Sequence, residues 1–186
     1  MFWNIPNSLT LLRMLLIPVL VVIFFAPLEW SRQAASMIFL AAAVTDWFDG
    51  YLARKLDQTT PFGAFLDPVA DKLMVATALL LLLSDDPRIE VTISAIIIVG
   101  REITISSLRE WMAELGARAT VAVSMLGKLK TTAQMTAITV LLWKEPLAGL
   151  PLYDIGLVLL YIAAAMTLWS MVVYLRAAWP VLTGKT

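Results

Sequence analysis

Apolar residues run along this chain in six stretches, each bounded by prolines or charges. A bilayer crossing takes about 20 residues of helix, and every stretch is near or above that length. The first covers residues 8–26 and breaks at Pro27, Glu29 and Ser31. The second covers 32–54 and is followed by a polar link, 55–61. The third covers 62–83 and stops at Ser84-Asp85-Asp86-Pro87. The fourth covers 88–111, with the polar stretch 110–120 behind it. The fifth covers 124–143 and stops at Lys144-Glu145-Pro146, and the sixth covers 153–179. The pattern predicts an all-α integral membrane protein: six transmembrane helices in one domain, residues 1–186. The first ten residues lack a basic segment and no small-residue cleavage site follows, so the first stretch reads as a retained span rather than a signal peptide.

Basic residues are unevenly shared between alternate ends of these spans. One side carries Arg54, Lys55, Arg109, Arg118, Lys128, Lys130, Arg176 and Lys185; the other carries Arg32, Arg88 and Lys144. The richer side belongs in the cytoplasm, and six spans then put both termini there. Trp30, Trp111, Trp143, Trp169 and Trp179 read as interfacial anchors near span ends. Met166 and Tyr174 on the sixth span read as packing or lipid contact. Gly156 and Ala163 to Ala165 offer a close helix or subunit contact.

Composition supports the membrane reading and narrows the chemistry. Of 186 residues 60% are hydrophobic, and the mean hydropathy of +0.83 is far above a soluble domain. Net charge is zero, which gives no electrostatic reason to expect a nucleic-acid partner. With no cysteine and no histidine, thiol nucleophiles, Ser-His-Asp triads and phospho-histidine intermediates are excluded. Any metal must be held by oxygen, which favours magnesium, manganese or calcium over zinc or copper.

Four acids break the apolar pattern within 26 positions: Asp46, Asp49, Asp67 and Asp71. Carboxylates at membrane depth are costly and usually functional. Asp46, Asp49, Gly50 and Ala53 fall at i, i+3, i+4, i+7, on one helix face; Gly63, Asp67 and Asp71 fall at i, i+4, i+8, on one face of the next helix. Opposed, the two faces would converge four like charges, a poor arrangement unless cations lie between them. The plainer alternative is that some acids cap helices, as Asp67 before Pro68 could, or pair with Lys72, Arg54 or Lys55. It would explain one acid more readily than four. Gly50 and Ala53 leave a shallow groove beside the acids, and Arg54 could fork onto a phosphate. A cation site next to a phosphate site suits phosphoryl transfer.

In full the pattern reads Asp46-x2-Asp49-Gly50-x2-Ala53-Arg54-x8-Gly63-x3-Asp67-x3-Asp71. At all eight positions it resembles the signature of the CDP-alcohol phosphotransferases. Asn4-Ile5-Pro6-Asn7, Leu9 to Arg13, Arg101-Glu102-Ile103, Arg109-Glu110-Trp111 and Gly127 to Thr131 resemble the bacterial branch of that family that uses glycerol 3-phosphate. The resemblance implies a six-helix enzyme of the bacterial cytoplasmic (inner) membrane. It would transfer a phosphatidyl group from CDP-diacylglycerol to sn-glycerol 3-phosphate, releasing CMP. It further implies that Asp46, Asp49, Asp67 and Asp71 hold two divalent cations, Mg2+ or Mn2+, with Asp71 also the general base. Asp49, Gly50, Ala53, Arg54, Gly63 and Thr45 would line the CDP site, with Thr10 and Arg13 helping to close it. A homodimer is the expected assembly.

A phosphorylated acceptor needs a basic pocket. Arg101, Arg109, Arg118, Lys128 and Lys130 are its candidates, against the alternative that they serve only topology or anionic lipid. Lys55, Arg176 and Lys185 fit that alternative. Glu102 reads as a neutraliser of Arg101. Two rivals remain: the same fold acting on inositol phosphate or serine, and a divalent-cation transporter with the acids along its path. The second suffers from Arg54, which would repel a permeating cation.

Overall fold

The computed structural model describes residues 4–55, 60–116, 125–147 and 149–183. They form six helices: α1 (Ile5–Phe25), α2 (Ser31–Lys55), α3 (Pro61–Asp85), α4 (Ile89–Glu114), α5 (Met125–Trp143) and α6 (Leu152–Leu182). Every end lies within three residues of the expected apolar stretch. There is no strand among the described residues; Leu147 and Leu150 form an isolated bridge in the α5–α6 turn, where Gly149 takes φ +81°.

Local chemistry sets the starts and stops. The Asn4 side chain accepts from the Asn7 N–H at 2.9 Å and caps α1. Thr60 caps α3 by accepting from the Gly63 N–H at 3.0 Å, with Pro61 at the first helical position. Asp67 is therefore not a cap. It lies within α3, as does Pro68, and the capping alternative for that acid falls.

The molecule is apolar on its outside and buries several charged residues within. Leu15, Val22, Leu80, Ile96 and Trp169 are each at least 65% exposed, whereas Arg13 and Lys130 are 1% exposed and Arg101 7%. In water that arrangement would be untenable; in lipid the apolar surface needs no cover. Three helical segments, Asn7–Phe25, Ile89–Glu114 and Leu152–Leu182, are long and apolar enough to cross a membrane. Polar and charged residues dilute α2, α3 and α5, which carry most of the candidate chemistry.

All six helices contribute to one apolar core, with Leu20, Phe39, Met74, Ile98, Ile138 and Leu160 at its centre. α5 packs on α6 and on α2, α1 packs on α2 and α3, and α4 packs on α6. Gly156 allows the α5–α6 approach, since a Cβ there would lie 2.8 Å from Leu141 Cγ. At one end Asp85 accepts from Arg32 at 2.6 Å and from Lys144 at 2.8 Å, tying the ends of α3, α2 and α5 together. Trp30 and Trp143 fall at helix ends, but Trp169 lies well inside α6 and does not fit an end anchor.

Candidate active site

Asp46 stands near the C-terminal end of α2, and Asp67 and Asp71 stand in the first half of α3. α1 reaches both helices from behind. Arg13, almost wholly buried, makes an ion pair with Asp46, whose side chain is 41% exposed. Thr10 donates its hydroxyl to Asp67. The helical spacing of Thr10 and Arg13, three apart, puts both on one face of α1. That face grips one acid from each neighbouring helix.

Gly63 is where α1 and α3 come closest. A Cβ at this position would sit 2.5 Å from Asn7 Oδ1 and 3.2 Å from Thr60 Oγ1. Thr60 Oγ1 in turn donates to Asn7 Oδ1 at 3.1 Å. A side chain here would displace Asn7, on the helix that carries Thr10 and Arg13.

Two cavities meet at Asp71. One, of about 470 Å³, is a mainly apolar groove between α2 and α5; Leu40, Val44, Met135 and Val140 line it and Asp46 and Asp71 stand at its polar end. The other, of about 200 Å³, is polar and includes Asp71, Lys72, Arg101, Glu102, Arg109 and Tyr174. Thr131 and Met135 of α5 border both. A lipid tail fits the first and an anionic polar group the second, with one carboxylate at their junction.

The polar cavity is held by cross-helix contacts. Glu102 accepts from Arg101 at 3.2 Å and from the fully buried Lys130. Lys72 donates to Ser106 Oγ at 2.6 Å. Arg109 Nη2 donates to the Tyr174 hydroxyl at 3.2 Å. The Nε atoms of Arg101 and Arg109 are buried without a hydrogen-bond partner.

Of the expected site residues, Asp46 and Asp71 thus come together at the groove, while Asp67 and Thr10 bond each other beside it. Thr45 turns its hydroxyl back to the Ala41 carbonyl at 2.6 Å. Arg101 and Arg109 enter the polar cavity, whereas Lys130 is committed to Glu102. Asp49, Gly50, Ala53 and Arg54 on α2 and Lys128 on α5 lie outside the residues whose side chains are described, and Arg118 lies outside the described residues altogether. Among the described residues no three acids stand close enough to form a metal cluster. The available donors are carboxylate and hydroxyl oxygens, which suit hard divalent cations.

Sequence reasoning missed Lys72, Gln134 and Tyr174 as cavity residues. Tyr174 was expected to pack or to meet lipid. It does pack on Ile105, Met112 and Ala178, but it is only 5% exposed and its hydroxyl engages Arg109, so the lipid contact is overturned. A signal was present: Thr167, Ser170, Tyr174 and Ala178 share the buried face of α6, and such small and polar residues mark a helix-facing side.

An apolar groove and a polar cavity joined at a carboxylate define a membrane enzyme that acts at a lipid headgroup. The sequence model described as CDP-alcohol phosphatidyltransferase matches residues 3–169, and the chain belongs to that family. Members of the family generally use divalent metal ions. The chain is 54% identical over 178 residues to the CDP-diacylglycerol–glycerol-3-phosphate 3-phosphatidyltransferase of Escherichia coli (strain K12), an alignment covering 96% of each chain. The enzyme of the same description from Shigella flexneri serotype 5b (strain 8401) matches to the same extent.

Proposed function

We propose that this chain transfers the phosphatidyl group of CDP-diacylglycerol to sn-glycerol 3-phosphate, giving phosphatidylglycerol phosphate and CMP. The observation that carries this reading is the junction of the apolar groove and the polar cavity at Asp71. The groove suits the diacylglycerol part of the donor. The polar cavity, with Arg101 and Arg109 in its wall, suits the phosphate of the acceptor.

Asp71 then stands between the two substrates and acts as general base. It takes the proton of the attacking acceptor hydroxyl. The hydroxyl oxygen bonds to the phosphorus that bears diacylglycerol, and the bond from that phosphorus to the CMP oxygen breaks. CMP leaves with the electron pair. Asp46, Asp49, Asp67 and Asp71 are the residues that would hold two divalent cations, Mg2+ or Mn2+; when bound, these neutralise charge on the pyrophosphate. Arg13 and Thr10 orient Asp46 and Asp67 from behind. Asp49, Gly50, Ala53, Arg54 and Thr10 form the CDP side of this reading, and Gly63 serves it through the packing of α3 on α1. Arg118 and Lys128 add positive charge on the acceptor side, and Lys130 neutralises Glu102 in the cavity wall.

The same reading has six crossings of a bacterial inner membrane, both termini and the acids on the cytoplasmic side, and a homodimer as the working assembly. The basic-residue asymmetry supports the orientation.

A micelle assay with CDP-diacylglycerol and radiolabelled glycerol 3-phosphate tests the proposal. Label is expected in lipid with matching CMP release, dependent on Mg2+ or Mn2+ and abolished by EDTA. CMP release with inositol phosphate or serine, but not with glycerol 3-phosphate, would overturn the acceptor.

A further inference from the structure

Arg101 and Arg109 are eight residues apart on α4, so they share a face but their backbones lie about 12 Å apart along the axis. Two like charges on long side chains tend to spread apart. Something must bring both heads to one cavity, and of the two arginines Glu102 pairs with Arg101.

Tyr174 on α6 supplies the common point. Its ring lies 5.7 Å from the Arg101 guanidinium carbon and 5.1 Å from that of Arg109. Both distances are within cation–π range. Its hydroxyl accepts from Arg109 Nη2 at 3.2 Å. The ring shares a buried apolar cluster with Ile105, Leu108 and Met112 of α4 and Ala178 of α6. A rigid aromatic with two torsions loses little entropy when it holds two flexible arginines.

We infer that Tyr174 is a positioning residue, orienting Arg109 through its hydroxyl and both guanidinium groups through its ring, and so setting the affinity for the acceptor's phosphate. The inference rests on the acceptor site proposed above. Tyr174 touches no reacting atom; its effect passes through Arg109 and Arg101. None of Tyr174, Arg101 and Arg109 lines the donor's groove, so the effect falls on the acceptor.

The test uses the full chain in detergent micelles, with initial rates measured while each substrate is varied in turn. Tyr174→Phe keeps the ring and removes the hydroxyl. It is expected to raise KM for glycerol 3-phosphate roughly five- to tenfold, the scale of one lost hydrogen bond. KM for CDP-diacylglycerol and kcat should stay within about twofold, on the same reasoning that the interaction is one of binding. Tyr174→Leu should raise the acceptor KM further. Arg109→Gln should raise it alone, and Tyr174→Phe added to Arg109→Gln should add less than about twofold, since coupled residues are non-additive. A merely structural role would instead lower kcat, move both KM values together, or multiply in the double variant, and any of these overturns the inference. If Arg109→Gln raises the acceptor KM and Tyr174→Phe does not, the role of Tyr174 falls and the acceptor site stands. If Arg109→Gln leaves it unchanged, both fall.

Discussion

Asp46 and Asp71 border the same groove but differ in what they neutralise. Asp46 is the partner of Arg13, a cation 1% exposed. Removing the Asp46 charge takes away the ion-pair partner of a buried guanidinium. Asp46→Asn should therefore abolish transfer and also lower stability by about 1–3 kcal/mol, read as a lower unfolding midpoint in detergent. Asp71→Asn removes the proposed base at the junction of the two cavities. It should lower kcat by roughly two orders of magnitude or more with a near-unchanged unfolding midpoint. Equal loss of stability in both variants would contradict the distinct roles. The aspartates themselves were legible in the sequence, because helical spacing fixes which residues share a face. Their partners were not. Nothing in the spacing of α2 and α3 says that Arg13 lies beside Asp46, or that Thr10 lies beside Asp67, 57 positions away.

Helices were the most legible level, since apolar runs interrupted by proline and charge specify both span and stop. What the pattern withheld was how closely the helices approach. Gly63 was expected to line the nucleotide site, yet its immediate surroundings are Asn7 and Thr60. Gly63→Ala inserts a Cβ 2.5 Å from an Asn7 oxygen that already accepts from Thr60. The side chain cannot swing aside without breaking that bond. The gain in helix propensity, up to about 1 kcal/mol, opposes a packing cost of about 1–3 kcal/mol, so the net effect should be destabilising. It should also lower activity more than stability, because α1 carries Thr10 and Arg13 to the acids. Assaying the variant well below its unfolding temperature separates the two effects; full activity there would show that the α1 contacts are dispensable. At the other end of the bundle, hydrogen bonds from Arg88 and then from Tyr153 hold the Asp86 carboxyl at about 2, below its ordinary 3.8. A depressed carboxylate contributes stability above the unfolded pKa and loses it as pH falls through the folded one. The wild-type unfolding midpoint should drop between about pH 4 and pH 2, and Asp86→Asn should flatten part of that drop.

At the scale of the whole molecule the question is which way the bundle faces. Six consecutive helices put the α1–α2, α3–α4 and α5–α6 turns at one end if each helix crosses. The ion pairs of Asp85 with Arg32 and Lys144 support that grouping, since they join the start of α2 to the ends of α3 and α5. The acids and the polar cavity lie toward the opposite end, where basic residues outnumber those of the first end by eight to three. On the proposed reading positive-inside asymmetry orients the site to the cytoplasm, where a water-soluble phosphorylated acceptor would be supplied. The chain has no cysteine, so single introduced thiols report without background. Glu145 in the α5–α6 turn and Leu115 after α4 are both exposed and make a matched pair. In intact spheroplasts a membrane-impermeant maleimide should label Glu145→Cys at once and Leu115→Cys only after permeabilisation. The reverse pattern would turn the molecule over and put the site on the wrong side for its acceptor. Labelling of both before permeabilisation would mean an even number of crossings between them, so that α5 does not traverse the bilayer alone, and would break the six-span reading while leaving the helical packing intact.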